Sequence, residues 1–217
     1  MQKKTVKVCG KDFVNSEENL TNLWDHIAGV VKDDDMVTAD LSNLEELEEQ
    51  EPSKRRKMRG KTLENKKKSK GRISTAEKNL VGLAGEIHAF RYLRKHYGIE
   101  IVGPSNWISE NSRYKYPENN TNDGQGCDFV IHKDGKTYFI EVKATREDDE
   151  AFELGSSEVK LAIDSANRRK REFIILHVLY ALSDSPKFRF LPNPYNRKHR
   201  NKYRFEEAGL RVRYKTV

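Results

Sequence analysis

An aspartate and a Glu-x-Lys triplet lie on two short apolar segments that are joined by Asp134-Gly135. Asp-Gly between apolar runs is a strong signal for a two-residue hairpin turn. In the antiparallel register that this turn sets, Asp128 stands opposite Glu141, and Lys143 projects from the same face. Facing carboxylates on an apolar hairpin repel each other, so the pattern favours a cation between them.

The chemistry of these side chains suits a divalent metal ion. Carboxylate oxygens are the ligands that Mg²⁺ and Mn²⁺ prefer, so we expect Asp128 and Glu141 to bind one of these ions, with the carbonyl of Val142 as a further ligand. On a phosphodiester, such an ion would orient a water and meet the developing charge. Lys143 would position that water, neutralise charge or act as the base, and the sequence leaves these roles open. The ordinary alternative is that Glu-x-Lys forms a solvated stripe on a strand.

A helix is predicted upstream of the hairpin. Ser74-Thr75-Ala76-Glu77 is a capping box, apolar residues follow at helical spacing, and Gly98 supplies a stop. Glu86 lies on this helix and would hold a second metal ion, or support the ligands of the first, if its face turns toward Asp128. A glutamate at the rim of an amphipathic helix is an equally ordinary interpretation.

The remaining pattern predicts an α/β domain. Apolar residues on both faces of the hairpin indicate that layers cover both, so we expect a restriction-endonuclease-like layered fold with the hairpin as a central pair of a mixed sheet. The other predicted elements are a strand at 99–102, a long loop at 104–126, a helix at 156–167, and strands at 172–182 and 187–191.

The chain is divided by charge into three regions. Residues 1–52 are acidic, with amphipathic helices predicted around Leu20 to Val30 and around Leu41 to Leu47. Residues 53–73 are basic and nearly free of apolar side chains, which is typical of a solvated linker or a phosphate-contacting arm. Residues 74–217 form the predicted domain. We hypothesise that the acidic region masks a basic surface or contacts a partner.

Composition narrows the class of protein. The 217 residues include 41 Lys and Arg against 34 Asp and Glu, a net charge of +7 that favours polyanionic partners. Cys9 and Cys127 lie far apart with no CxxC pattern, which argues against a disulfide framework and a zinc site. No apolar run has the length of a membrane span, so we expect an intracellular protein of the cytoplasm, nucleoid or nucleus that does not engage a membrane.

Three segments offer candidate substrate contacts. The loop from Trp107 to Asn122 interleaves aromatic residues with Arg113 and Lys115, a composition suited to stacking and phosphate contact. The segment from Asn193 to Arg204 repeats this chemistry with Arg197 and Lys198. Glu158 and Lys160 lie near the start of the predicted helix at 156–167, where they would fix that helix or meet substrate. Ordinary exposed surface is the alternative for all three.

The motifs of this sequence and their order are similar to those of a known family. The motifs are Glu86-x-x-Ala89-x-x-x-Leu93, Trp107, Gly126-x-Asp128-Phe129, Glu141-Val142-Lys143-Ala144-Thr145 and Phe152-x-Leu154-x-x-x-Glu158. Together they resemble the carboxyl-terminal domain of the plant NO VEIN protein and its bacterial relatives, which are related to Mrr-like restriction nucleases of the PD-(D/E)XK superfamily. The resemblance covers about residues 74 to 195. Cys127 departs from it, because a bulkier residue is expected there.

This resemblance implies a metal-dependent endonuclease that acts on DNA in restriction or genome defence, with Asp128 and Glu141 as metal ligands and Lys143 as the catalytic lysine. It also implies a partner ATPase or helicase, and a homodimer would be needed to cut both strands symmetrically. RNA is not excluded as the substrate. The alternative is a nucleic-acid-binding or assembly module that kept the fold and directs a partner enzyme without cutting.

Overall fold

The computed structural model describes residues 5–32, 36–39, 74–206 and 211–214. The helices in these ranges are Glu17–Val30 (α1), Thr75–Tyr97 (α2) and Ser156–Ser165 (α3). The strands are Thr5–Val8 (β1), Lys11–Val14 (β2), Val37–Ala39 (β3), Phe129–Lys133 (β4), Lys136–Ala144 (β5), Ala151–Glu153 (β6), Arg171–Leu179 (β7), Lys187–Pro192 (β8), Arg204–Glu206 (β9) and Arg211–Arg213 (β10). In the described part of the chain, no helix has the length and apolar character of a membrane span.

A mixed five-stranded sheet forms the centre of the molecule, in the order β3-β8-β7-β5-β4. β3 runs parallel to β8 and β5 runs parallel to β7, while the pairs β4–β5 and β7–β8 are antiparallel. One hydrophobic cluster packs α2 on one side of the sheet, and a second packs α3 and the small sheet β6-β10-β9 on the other. The predicted layered α/β class is therefore confirmed.

The β4–β5 hairpin has the predicted turn and register. Asp134 and Gly135 both have positive φ, 51° and 69°, as a type I′ turn requires. Lys133 pairs with Lys136, and the ladder extends to the pair Phe129 and Ile140. The expected central position is wrong for β4, which is the edge strand of the sheet.

The free edge of β4 is closed by a loop rather than by a strand. Trp107 forms an isolated bridge with Phe129, and the N–H of Ile108 donates to the carbonyl of Asp128 at 2.8 Å. Apolar residues on both faces of a hairpin show that layers cover it from above and below. They do not show that a strand pairs with each of its edges, so the prediction of a central position for β4 was wrong.

Helix α2 places Glu86 against the sheet. The hydroxyl of Ser74 accepts the N–H of Glu77 at 3.3 Å, and the helix ends at Gly98 with φ 101°, as predicted. In its middle, Gly85 lies so close to β5 that an added Cβ would overlap the Cβ of Ala144. A glycine at this point lets α2 approach the strand closely and buries Glu86, which follows it.

The strand predicted at residues 99–102 is wrong, because this segment forms a tight turn. The N–H groups of Ile101 and Val102 both donate to the carbonyl of Gly98, at 3.2 and 3.0 Å. Val102, the last residue of this segment, is buried, whereas Ile99, the first, is 67% exposed. A short apolar run after a helix-ending glycine thus serves to turn the chain toward the next loop.

The amino-terminal elements pack on α2. The helix predicted around Leu20 to Val30 is confirmed as α1, but the β1–β2 hairpin before it was not predicted. Leu23 and Ile27 of α1 are fully buried in the same cluster as α2, and Arg91 of α2 donates to the carbonyl of Val31 at 2.7 Å. The helix predicted around Leu41 to Leu47 and the basic segment 53–73 lie outside the described residues.

Candidate functional site

Asp128 is bound to the edge of β5 by two backbone hydrogen bonds. Its N–H donates to the carbonyl of Ile140 at 3.0 Å, and its carboxylate Oδ2 accepts the N–H of Val142 at 2.7 Å. Asp128 comes one residue before β4, so it lies just beyond the last pair of the hairpin ladder, Phe129 and Ile140. These contacts hold its carboxylate next to Glu141, the residue between its two backbone partners.

Lys143 lies between two carboxylates. Its Nζ donates to Oε1 of Glu141 and to Oε2 of Glu158, both at 2.7 Å. Glu158 also accepts the N–H of Gly155 at 2.9 Å, which caps the start of α3. Of the two roles considered from the sequence, Glu158 has the first, since it fixes the start of α3, and its contact with Lys143 was not predicted.

Gly126 brings the start of α3 against the site. Its φ is +82°, and a Cβ at this position would overlap the carbonyl of Ser157 and touch the N–H of Glu158. Only glycine combines this backbone conformation with such a close approach. The Gly126-x-Asp128 spacing thus links the position of Glu158 to that of Asp128.

Glu86 is held by three donors from the loop after α2. Its Oε2 accepts Nε1 of Trp107 at 2.7 Å and also the hydroxyl of Ser109, while its Oε1 accepts the side-chain amide of Asn111. The predicted inward orientation is what the structure shows, since Glu86 is 7% exposed and lines the same cleft as Asp128 and Glu141. Sequence reasoning missed Ser109 and Asn111, because no local pattern shows how the long polar loop folds back onto α2.

Burial and mutual repulsion raise the pKa values of the three carboxyl groups. The pKa of Asp128 is well above its ordinary value because the group is desolvated and faces the charge of Glu86. Desolvation and the charge of Asp128 raise the pKa of Glu141 in the same way. Desolvation raises the pKa of Glu86 to about 7, against the opposing effect of its hydrogen bonds to Ser109, Trp107 and Asn111. The fold therefore brings carboxylates together where desolvation and mutual repulsion make their charged forms unfavourable.

Lys143 is the cation that partly offsets this charge. Desolvation alone would lower its pKa, but the charges of Glu141 and Glu158 outweigh it and raise the pKa above the ordinary lysine value. The cleft thus holds Lys143 as an ammonium. Of the roles that the sequence left open, this favours positioning and charge neutralisation over proton abstraction.

The carboxylates open onto one polar cleft of about 370 Å³. Asp128, Glu141, Glu86 and Glu158 all line it, together with Ser109 and Asn111. Among the described residues, no group of three or more His, Cys, Asp or Glu side chains is arranged to hold a metal ion. A bound ion would therefore draw on Asp128, Glu141 and non-carboxylate oxygens such as the carbonyl of Val142, water or substrate, a set of hard donors that fits Mg²⁺ or Mn²⁺.

The other predicted substrate contacts lie in different places. Lys115 forms an ion pair with Asp25 of α1 at 2.8 Å and lies 5.6 Å from the ring centroid of Trp24, so its charge is engaged within the molecule. Arg113, in the same loop, is exposed. Lys160 is exposed on α3 and borders a second depression of about 460 Å³ beside the cleft.

Arg197 and Lys198 lie away from the cleft. They are exposed on the segment that follows β8, where Asn196 donates to the carbonyl of Ala166 at 3.2 Å, just past the last residue of α3. The cleft borders the opposite end of this helix at Ser157 and Glu158. The structure therefore separates these two basic residues from the predicted metal ligands by the length of α3.

Comparison with known proteins places the site within one family model. The model of the carboxyl-terminal domain of protein NO VEIN matches residues 86–191, a range that begins at Glu86 and ends in β8. The match includes Asp128, Glu141, Lys143 and Glu158, so the whole cleft lies in the part of the chain that is similar to this domain. Comparisons with curated proteins and with solved structures gave no match.

Proposed function

We propose that this protein is a divalent-metal-dependent endonuclease of the PD-(D/E)XK type that hydrolyses phosphodiester bonds in DNA. The observation that carries the proposal is that Asp128 and Glu141 line one polar cleft, while Lys143 donates hydrogen bonds to two of its lining carboxylates, Glu141 and Glu158. Glu141 is buried and Asp128 is partly buried, and Lys143 forms ion pairs with both Glu141 and Glu158. An excess of carboxylates over cations is suited to binding a metal ion rather than to stabilising a fold.

Each side chain has a distinct part in this proposal. Bound Mg²⁺ or Mn²⁺ would supply Lewis-acid activation of the phosphate and of the attacking water. Asp128 and Glu141 would hold the ion, with the carbonyl of Val142 beside them. Lys143 would release one of its carboxylate partners and place its ammonium against the negative charge that develops on the phosphoryl oxygens.

Glu86 and Glu158 would act through these three residues. Three hydrogen bonds fix Glu86, whose charge raises the pKa of Asp128, so Glu86 would tune the cleft or hold a second ion. Glu158 would keep Lys143 over the cleft until substrate arrives. Residues 86–191 match the NO VEIN carboxyl-terminal domain, and the family relation to Mrr-like nucleases supports DNA as the substrate and genome defence as the role.

The test is incubation of the full chain with supercoiled plasmid in Mg²⁺, Mn²⁺ or chelator. Asp128→Ala and Lys143→Ala are compared with wild type and with two control variants, Glu18→Ala in α1 and Lys7→Ala in β1, which remove an exposed carboxylate and an exposed ammonium that do not line the cleft. We expect metal-dependent nicking that only the two cleft variants lose. Equal nicking by all five proteins would indicate contamination and contradict the proposal.

Absence of cleavage by the wild type would favour the alternative function. Duplex binding that persists without nicking in either metal, and that Asp128→Ala leaves unchanged, is the outcome that a non-cleaving nucleic-acid-binding or assembly module predicts. A partner ATPase or helicase and a homodimer remain predictions, and the same assay tests the first by adding the partner together with ATP.

A further inference from the structure

Four exposed cations gather at the end of α3 that is remote from the cleft. Arg169 and Lys170 lie in the turn between α3 and β7, and Arg197 and Lys198 lie in the segment after β8. The two segments are in contact, because the side-chain amides of Asn193 and Asn196 donate to the carbonyls of Ala162 and Ala166, at 2.7 and 3.2 Å. We call these four residues the distal basic surface.

The charges of the distal basic surface are not balanced locally. The neighbouring cations Arg168 and Arg171 both bond to Asp164 at 2.6 Å, as expected for basic residues that follow the end of a helix. Among the described residues, the four members of the surface form no ion pair within 4.0 Å, and the exposed Glu172 is the acidic neighbour in sequence. Helix capping therefore accounts for the paired arginines and leaves four cations facing solvent.

The surface and the cleft lie at the two ends of one helix. The cleft borders Ser157 and Glu158 at the start of α3, and the surface borders Ala166 just after its end. With ten residues at about 1.5 Å each, α3 separates them by roughly 15 Å. Because phosphates on one strand of a duplex are about 3.4 Å apart along the axis, this corresponds to four or five base pairs.

We propose that the distal basic surface binds the phosphate backbone of duplex nucleic acid at a point four to five base pairs from the phosphate held in the cleft. This inference rests on the proposed function for the second contact point. Arginine and lysine neutralise phosphates without reading sequence, so the surface sets orientation and minimum substrate length rather than specificity. The substrate would thus contact the protein at two points, the cleft and the distal basic surface.

The test compares duplex binding by wild type and by Arg169→Ala/Lys170→Ala/Arg197→Ala/Lys198→Ala in chelator, with fluorescence anisotropy over a range of NaCl concentrations. A matched control, Lys7→Ala/Lys11→Ala/Lys32→Ala/Lys187→Ala, removes the same charge from exposed lysines elsewhere. For a 20-base-pair duplex, we expect the slope of log affinity against log salt to fall by about 3 to 4 only in the first variant. For a hairpin-closed duplex of three base pairs, about 10 Å long, we expect wild type and variant to bind alike, because it cannot span both points.

Two results would overturn the inference. One is an equal change of slope in the control variant, which would show that the effect comes from the net charge of the protein and not from the position of these four residues. The other is an equal loss on the three-base-pair and 20-base-pair substrates, which would mean that the surface does not act as a second contact point separated from the cleft. Because binding is measured without metal, the outcome is independent of whether the protein cleaves; where it does cleave, the loss should fall on KM more than on kcat.

Discussion

Two buried polar clusters lie side by side on the face of the sheet that α3 covers, and they differ in charge balance. In one, His177 contacts the hydroxyl of Tyr214 at 2.7 Å, and Arg189 donates to the same hydroxyl at 3.2 Å and to Asp148 at 3.0 Å. Desolvation, with the nearby charge of Arg189, lowers the pKa of His177 to about 3, so the ring is neutral. Arg189 is then the cation of this cluster, and it forms an ion pair with the exposed carboxylate of Asp148.

The cleft is the opposite case. Glu86, Asp128, Glu141 and Glu158 line it, and Lys143 is the cation that the hydrogen bonds place among them. Lys143 pairs with His177 in the parallel register of β5 and β7, so the two clusters are neighbours built on the same strands. We interpret the excess of carboxylates in the cleft, beside a cluster whose cation has a carboxylate partner, as support for the proposed ligand site. This contrast, rather than burial alone, distinguishes the candidate site from a structural polar network.

The largest expected effect is the loss of cleavage in Asp128→Asn. Asparagine keeps the shape and can still accept the N–H of Val142, but it removes the charged metal ligand, so we expect activity to fall by about 10³-fold or more. The same change should stabilise the metal-free fold by about 1 kcal/mol at pH 8, because it removes a buried repulsive charge.

The gain in stability from Asp128→Asn also has a predicted pH dependence. The pKa of Asp128 is raised in the folded state, so the group lowers stability as the pH rises from its ordinary value of 3.8 to the raised pKa, and this cost is absent below 3.8. Denaturant unfolding at pH 8 and near pH 4 should show the advantage of the variant only at the higher pH. A variant less stable than wild type at pH 8 would mean that Asp128 is an ordinary structural residue.

Gly126→Ala should disturb the cleft through the start of α3. The added Cβ meets the carbonyl of Ser157, and alanine at φ +82° is itself strained, so we expect a loss of about 2 to 4 kcal/mol in the free energy of unfolding. Activity should fall as well, because Glu158 and Lys143 move. Gly124→Ala is the matched control, since a Cβ there lies 3.4 Å from Asn122 Oδ1 and should cost little. Equal losses in both variants would contradict the role given to Gly126.

Tyr214→Phe breaks the balanced cluster and should leave the cleft intact. The variant removes the partner of a buried histidine, a change that costs about 1 to 3 kcal/mol. We expect the metal dependence of nicking to match that of wild type when the assay is run below the unfolding temperature of the variant. Loss of metal dependence in Tyr214→Phe would contradict this prediction and would show that the two clusters act together.

The last expected effect is confined to acid pH and is the contribution of His177 to acid sensitivity. Its folded pKa is about 3 and its unfolded value is about 6.5, so its stabilisation is complete above pH 6.5 and is lost as the pH falls toward 3. Relative to His177→Gln, wild type should lose up to about 1.4 kcal/mol per pH unit over this window. Urea titrations at pH 7.5, 6.0 and 5.0 measure the difference, and parallel profiles for the two proteins would show that His177 does not titrate.

Local patterns in the sequence predicted the hairpin, its register and the capped helix, because each depends on residues close together in the chain. The edge position of β4 and the small strands β3, β6, β9 and β10 were missed, since three-residue strands show no periodicity and their partners are distant in sequence. The β1–β2 hairpin was missed because Cys9-Gly10 is not a typical turn pair, although both residues have positive φ.

The candidate site shows the same division. The spacing of Asp128, Glu141 and Lys143 predicted their convergence, because a hairpin fixes which residues face each other. The contacts of Glu86 with Ser109 and Asn111, and of Lys115 with Asp25, depend on how the long loop folds over α1 and α2. No local pattern encodes them, so Lys115 was predicted to contact substrate although the structure pairs it with α1.

The central claim is that the cleft binds a divalent cation between Asp128 and Glu141, and isothermal titration of the full chain with Mn²⁺ tests it most directly. The account predicts saturable binding by wild type and by Tyr214→Phe, a rise in unfolding temperature with Mn²⁺, and loss of both in Asp128→Asn. Binding of equal strength by Asp128→Asn and wild type would contradict it.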